Sequence, residues 1–334
     1  RKISYALYDR VTPNPTTMQA DEATALGKGI RAQAVIAIGG GSPIDTGKSA
    51  AILLRHPGKT ARELFSQGFT PEGALPIVAV NLTHGTGTEV NRFAVLSIPE
   101  TEQKPVIAFD CIYPTWSIDD PALMTGLSKE QTRFVSIDAV NHVIEAATSK
   151  STNPLAVMLG KNTIELVVRY LPFAEKDPGD LNARYFLLYA SMLGGLSFDN
   201  GLLHYTHALE HPLSALKPEL SHGLGLACLL PAVVQAIYPQ ESFILADLLK
   251  PIAPDLEGKP EEAHEAGKAV QAWLNKCGVT QKLCDVGFRR EDIDKLVDMT
   301  IKEPSLAGLL EQAPGYANAT SVAAIYMNSF MPLV

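Results

Sequence analysis

The sequence has no cysteine pair of the C-x-x-C type. Cys111, Cys228, Cys277 and Cys284 stand apart, which excludes a zinc–thiolate cluster and leaves no disulfide framework. A reducing, cytoplasmic setting is the expectation. There is no stripe of lysine and arginine, and the net charge is −8, so a nucleic-acid partner is excluded. No apolar run is long enough to cross a bilayer. The longest, from Gly223 to Val234, is broken by Pro231 and reads as a buried helix, so no membrane partner is expected. No charged-then-apolar signal segment follows Arg1, and internal repeats and low-complexity tracts are missing. What is present is a chain of 334 residues, 46% apolar and 19% charged. That suffices for two domains with a large core.

Up to about residue 125, short β-branched runs alternate with helical stretches. ISYALYD (3–9), AVIAIGG, LPIVAV, VIAFD and WSID read as strands, with helices expected from about Thr17 and Ile44. The alternation predicts an α/β unit around a parallel sheet, with ligand loops after strand ends, as in VTPNPT. From Ser128 onward a 3.6-residue periodicity runs on without convincing strands. Ser128-x-x-Gln131 fits a capping box, and Val135, Ala139, Val140 and Val143 form the apolar face of the helix it opens. The boundary falls near Gly126–Leu127, giving an α/β domain over 1–126 and an all-helical domain over 127–334.

The stretch AVIAIGGGSPIDTGKSAA runs a strand into three glycines and a helix start. Unpaired N–H groups, the helix dipole and close backbone approach all favour a phosphate there. The P-loop pattern fails, because the glycine needed five positions before Gly47 is Ser42. The G-x-G-x-x-G fingerprint fails too, since Gly39, Gly40 and Gly41 are consecutive.

In the helical half, Asp138 and His142 of SIDAVNHVIEA lie four residues apart, on one helical face. Of the eight histidines, His204, His207, His211 and His222 fall in GLLHYTHALEHPLSALKPELSHG. The first three form one stripe if that segment is helical, with Pro212 expected to kink or end it. A carboxylate with several imidazoles on two helices predicts a site for Fe(II) or Zn(II) rather than for calcium or magnesium. A metal of that kind lowers the pKa of an alcohol and polarises a carbonyl, and hydride transfer then needs a nicotinamide.

GGGSPIDTGK, THGTGTEV, DAVNH, HALEHPL and SHG occur together in the order and near the spacing of one family, and the chain resembles the iron-containing (group III) alcohol dehydrogenases over essentially its whole length. The resemblance implies the dehydroquinate synthase-like architecture: an N-terminal dinucleotide-binding domain, an all-helical domain and a metal in the cleft between them. Carried over, the metal ligands are Asp138, His142, His207 and His222, with His211 as a proton-relay or orienting residue. The cofactor, NAD or NADP, lies on Gly40, Gly41, Ser42 and the helix start, with Asp45 close by. Thr83, Thr86, Lys104 and Asn14 match further cofactor-side positions. The implied activity is hydride transfer between a small primary alcohol, or its aldehyde, and the nicotinamide, in a homodimer or larger homo-oligomer.

Three departures from the family stand out. Relatives often carry Thr-Thr-Ala where this chain has Leu82-Thr83-His84. His84 is then either a modifier of cofactor recognition or an exposed loop residue. The interval from His207 to His222 is about one residue longer than in some relatives. Relatives also begin about fifty residues earlier, with a strand–turn–helix whose ribose-side residue separates NAD from NADP. Glycerol dehydrogenase and dehydroquinate synthase share the architecture and are the alternative enzymes. The latter needs a basic cluster near its metal, and between His204 and His222 there is only Lys217. A non-catalytic metal-binding protein is the alternative from outside enzymology.

Overall fold

The computed structural model describes residues 3–333. The chain first reaches regular structure at α1 (Thr17–Gly29), capped by a reciprocal box between Thr16 and Gln19. The strand β1 (Val35–Gly39) then feeds α2 (Gly41–Arg55), and the short α3 (Ala61–Phe65) follows. β2 (Ile77–Asn81) and, after β3 (Phe93–Val95) and β4 (Val106–Ala108), β5 (Trp116–Asp119) complete the α/β region. β1, β2 and β5 form a parallel sheet in the order β1-β2-β5. One face packs on α2 through Ala37, Ile44 and Ala79. On the other face Ile36, Val78 and Trp116 stand in one cross-strand row and Ile38, Val80 and Ile118 in the next. Ile36 and Trp116 are 65% and 71% exposed, so none of the described residues covers this face, which in parallel sheets is normally packed.

Two strand expectations need correction. ISYALYD is not a strand: residues 3–9 lie outside any ladder, with Ile3, Tyr5 and Leu7 exposed. Apolar alternation supplies no partner strand, and the Tyr8 hydroxyl ties this segment to α1 by donating to Glu22 at 2.7 Å. VIAFD does contain a strand, β4, but it pairs antiparallel with β3 in a separate sheet. The cause lies in α2. Lys48 Nζ donates to the Phe93 carbonyl at 2.7 Å, and Asp45 Oδ2 accepts from the Val95 N–H at 2.9 Å. Those bonds hold the 93–95 segment against α2 and away from the main sheet.

The remaining elements are helical. α4 (Lys129–Thr148) is buried almost continuously from Phe134 to Thr148 and is wrapped by α5 (Pro154–Lys176), α6 (Leu181–Gly201) and α8 (His222–Leu248). α7 (Tyr205–Leu216) precedes α8, and α9 (Ala263–Lys276), α10 (Ile293–Lys302), α11 (Pro304–Glu311) and α12 (Ala319–Asn328) close the region. Ser128 caps α4 by accepting from the Gln131 N–H at 3.0 Å. The return bond of the expected box is not formed. Pro212 neither ends nor interrupts α7, which continues to Leu216. The apolar run at 223–234 is the first half of α8. At 27 residues α8 is long enough to span a membrane, but 72% of its most apolar window is buried inside the protein, as suits a core helix.

Lys48 belongs to this scaffold and not to a phosphate loop. Its fully buried Nζ also donates to Thr88 Oγ1 at 2.8 Å and to the Asn91 carbonyl at 2.9 Å, and burial pushes its pKa down to about 8. Lys48→Met strips a donor from three buried acceptors and should cost roughly 3 kcal/mol, measured by urea unfolding. A loss below about 1 kcal/mol would contradict this assignment.

Candidate metal centre and nucleotide turn

The turn between β1 and α2 is shaped by what its glycines lack. Gly39 has φ +151°, and a Cβ there would meet Pro43 Cγ at 2.4 Å. Cβ atoms at Gly40 and Gly41 would meet Thr83 Cγ2 at 2.7 Å and Thr86 Cγ2 at 2.8 Å. Thr83 and Thr86 therefore pack directly on the turn, next to Ser42 and the first N–H groups of α2, which have no intrahelical partner. Thr83 Oγ1 is buried without a partner. Asp45 is placed differently from the expectation. Its carboxylate accepts from Thr88 Oγ1 at 2.7 Å and from the Val95 N–H, so both oxygens are engaged within the scaffold.

Asp138 and His142 project from the same face of α4, as their spacing requires. Asp138 Oδ1 lies 3.5 Å from His142 Nε2 and 3.6 Å from His207 Nε2, which comes from α7. The His142 and His207 rings stack with centroids 4.6 Å apart, and Phe198 covers the other face of His142 at 4.5 Å. His222, the first residue of α8, approaches His207 at 5.5 Å and His211 at 5.8 Å between centroids. Two sets of donor atoms converge: Asp138, His142 and His207, and beside them Glu210, His211 and His222. The four residues implied by the resemblance are thus adjacent, with His222 in the second set.

Asp138 Oδ1, His142 Nδ1 and His207 Nε2 are buried without hydrogen-bond partners. Orphaned groups of this kind are costly to bury. A mixed nitrogen and oxygen donor set suits a first-row divalent ion, which would satisfy the orphaned carboxylate oxygen and the His207 nitrogen. Electrostatics agree with a site built for positive charge. Burial alone would raise the Asp138 carboxyl, yet the imidazoles around it, His142 foremost, hold it below the usual carboxylate range. Burial pushes His142 down to about 4. At His207 burial also disfavours the cation, but the Glu145 and Asp138 carboxylates together outweigh it and raise the pKa.

His211 sits one turn beyond His207, and its Nδ1 is 2.8 Å from the Lys104 carbonyl. A carbonyl only accepts, so Nδ1 carries the proton and Nε2 keeps its lone pair. Burial and the nearby Lys104 ammonium keep the ring neutral. Lys104 and Asn14 are placed apart from the glycine turn. Lys104 Nζ donates to Asn14 Oδ1 at 2.9 Å and to Ser214 Oγ at 2.8 Å, with Glu210 Oε2 at 3.5 Å. Asn14 Nδ2 donates to the Pro218 and Leu220 carbonyls. The pair joins the first loop of the chain to the segment that leads into His222.

Sequence reasoning missed Glu145 and Glu210, the carboxylates hydrogen-bonded to His207 Nδ1 and His222 Nδ1. One signal was available: Glu145 falls three residues after His142, completing an i, i+4, i+7 stripe with Asp138. His204 is not in the cluster. It caps α7, its Nδ1 accepting from the Tyr205 N–H at 2.7 Å. Both expectations for His84 are overturned, because it is 1% exposed and faces the helical region. Arg184 Nη1 donates to His84 Nε2 at 3.0 Å and to Thr132 Oγ1 at 2.8 Å.

A glycine turn open to an anion and a buried carboxylate–imidazole cluster with unpaired donors together mark an enzyme that uses a phosphate-bearing cofactor and a divalent metal. Comparison with known proteins agrees. The family model for iron-containing alcohol dehydrogenase matches residues 1–121, and that for the C-terminal part of the Fe-containing alcohol dehydrogenase family matches residues 134–330. This chain belongs to the iron-containing alcohol dehydrogenase family, and it is an oxidoreductase. It is 59% identical over 328 residues to a long-chain primary alcohol dehydrogenase of Thermoanaerobacter ethanolicus, covering 98% of this chain and 82% of that protein. It is 33% identical over 332 residues to the 1,3-propanediol dehydrogenase of Klebsiella pneumoniae, with 98% and 84% covered. Among solved structures, the NADH-dependent butanol dehydrogenase A of Thermotoga maritima superposes with a TM-score of 0.86 at 28% identity, over 96% of this chain and 82% of that one.

The His84 environment generates a pH prediction. Burial, with the Arg184 cation second, pushes its pKa down to about 3 from an ordinary 6.5. The unfolded chain therefore takes up a proton that the folded one refuses, and stability present above pH 6.5 is lost as the pH falls toward 3. His84→Gln keeps an acceptor for Arg184 but does not titrate. Its unfolding free energy should fall less steeply with acid than that of the unsubstituted protein, by about 1.4 kcal/mol per pH unit. Urea titrations at several pH values between 4 and 6.5 check this, and equal slopes would refute it.

Proposed function

We propose that this chain catalyses hydride transfer between primary alcohols or their aldehydes and NAD(P), with Asp138, His142, His207 and His222 holding the metal. The observation that carries this reading is the orphaned Asp138 Oδ1 facing the orphaned His207 Nε2, 3.6 Å apart in a buried site. The 59%-identical relative bears the name of a long-chain primary alcohol dehydrogenase, which supports primary alcohols as the substrate class.

When bound, Fe(II), or Zn(II) in its place, supplies a Lewis acid for the substrate oxygen, and the nicotinamide supplies the hydride acceptor. The chain provides position and proton handling. Gly40, Gly41 and Ser42 present the α2 N-terminus to the pyrophosphate, and Thr83 and Thr86 wall the turn. His211 Nε2 is the acceptor for the alcohol proton, since its Nδ1 proton is committed to the Lys104 carbonyl. Phe198 stacks on His142 and shields the donors from water. Lys104 and Asn14 act one step back, tethering the loop before His222.

We place the domain boundary at 126/127, between a 3₁₀ turn ending at Met124 and the Ser128 cap of α4. Four unpaired thiols support a reducing cytoplasmic setting. A homodimer or larger homo-oligomer is the assembly that the family resemblance implies.

The test is anaerobic oxidation of NADH and NADPH with butyraldehyde and a longer-chain aldehyde, on protein stripped of metal and then given Fe(II) or Zn(II). Turnover should return with metal and fall by more than about 100-fold in His207→Ala, since removing a ligand exceeds the usual effect of disturbing its support. Turnover independent of metal, or unchanged in the variant, would overturn the assignment. Metal uptake without turnover for either cofactor would favour a non-catalytic metal-binding protein.

A further inference from the structure

His207 and His222 share a feature that His142 lacks. Each turns its Nδ1 onto a fully buried carboxylate, Glu145 for His207 and Glu210 for His222. The His142 Nδ1 has no partner at all. The two carboxylates are held differently. Glu145, on α4, also accepts through Oε1 from the backbone N–H groups of Thr206 and His207, at the first turn of α7. It thus fixes the helix start and the ring that the helix carries with one side chain. Glu210, on α7, has Lys104 Nζ at 3.5 Å from the oxygen that meets His222.

We propose that Glu145 and Glu210 are positioning residues that set the tautomer and ring orientation of His207 and His222, so that each presents an unprotonated Nε2 to the metal. The proposal rests on the metal reading given above. A carboxylate only accepts hydrogen bonds, so the Nδ1 facing it must carry the proton. The lone pair is then left on Nε2, which for His207 is the atom 3.6 Å from Asp138 Oδ1. The Lys104 ammonium beside Glu210 argues against reading Glu210, His211 and His222 as a second cation site, and it leaves Glu210 to serve His222.

The amide variants separate positioning from packing. In Glu145→Gln the amide oxygen continues to accept from the Thr206 N–H, which leaves the NH2 group facing His207 Nδ1 as a donor. The ring must then accept at Nδ1 and carry its proton on Nε2, where the metal would bind. Glu210→Gln is the control: the oxygen that meets His222 also faces Lys104 Nζ and the other oxygen has no partner, so the amide oxygen stays toward His222 and its Nδ1–H is kept.

The experiment uses the full chain with ¹⁵N-labelled histidine, metal-free and at a pH above 9, because the neighbouring carboxylates raise the His207 pKa to about 9 and only the neutral ring has a tautomer, and reads the tautomers from long-range ¹H–¹⁵N correlations. Zn(II) affinity is measured alongside by competition with a chromophoric chelator, and thermal melting of the metal-free protein controls for folding. The expected result is Nδ1–H for His207 and His222 in the unsubstituted protein. Glu145→Gln should move His207 to Nε2–H and lose about 10–100-fold in Zn(II) affinity, while Glu210→Gln should leave His222 as Nδ1–H, with both metal-free melting curves nearly in place. Nε2–H on either neutral ring in the unsubstituted protein, or undiminished Zn(II) affinity in Glu145→Gln, would overturn the proposal. Unsubstituted protein that takes up no Zn(II) or Fe(II) would overturn the metal reading instead. The tautomers of the metal-free protein would then still decide the roles of Glu145 and Glu210, whether or not a variant folds.

Discussion

The structure depends on one constraint: a carboxylate and two imidazoles are buried beside one another, and the unpaired oxygen of Asp138 faces a nitrogen of each ring. Asp138, His142 and His207 are each no more than 5% exposed. Orphaned polar groups of this kind weaken a protein unless something satisfies them. A divalent cation does so for the Asp138 oxygen and the His207 nitrogen at once. Much of the helical region serves to keep those atoms in place, with α4 sunk in the core so that its polar stripe is shielded, and α7 and α8 delivering their histidines from the side.

The nucleotide turn is built by a different economy. Three glycines remove side chains, Thr83 and Thr86 fill the space, and the buried Lys48 and Asp45 fasten α2 to the segment around β3. The two regions are joined by side chains that do not belong to either cluster. Asn14 and Lys104 reach from the α/β region to the loop before His222 and to Ser214 of α7, and His84 reaches Arg184 of α6. The loop carrying Thr83 and Thr86 is therefore tied through His84 to the helical region that holds the histidines.

Much of this was legible in the sequence, for definable reasons. A four-residue interval puts Asp138 and His142 on one face of any helix, and a glycine run between a strand and a helix opens a phosphate site in any α/β fold. Glu145 and Glu210 escaped because carboxylates on helices are ordinarily solvated, and only the surrounding burial shows that they serve the histidines. His84 escaped because its partner lies 100 residues away. Asp45, Lys104 and Asn14 were assigned by resemblance, and the structure engages their polar atoms within the protein. ISYALYD misled because alternation specifies a face and not a neighbour. Pro212 misled because a proline does not break every helix that contains it.

The central claim is that the unpaired atoms around Asp138 are a metal site and that the neighbouring Glu210, His211 and His222 group is not a separate one. Anomalous diffraction from crystals of the Fe(II)- or Zn(II)-loaded protein, collected at the absorption edge of the metal, tests it most directly. The account predicts a single peak bounded by Asp138, His142, His207 and His222. A peak held by Glu210 and His211, or none among these residues, would contradict it.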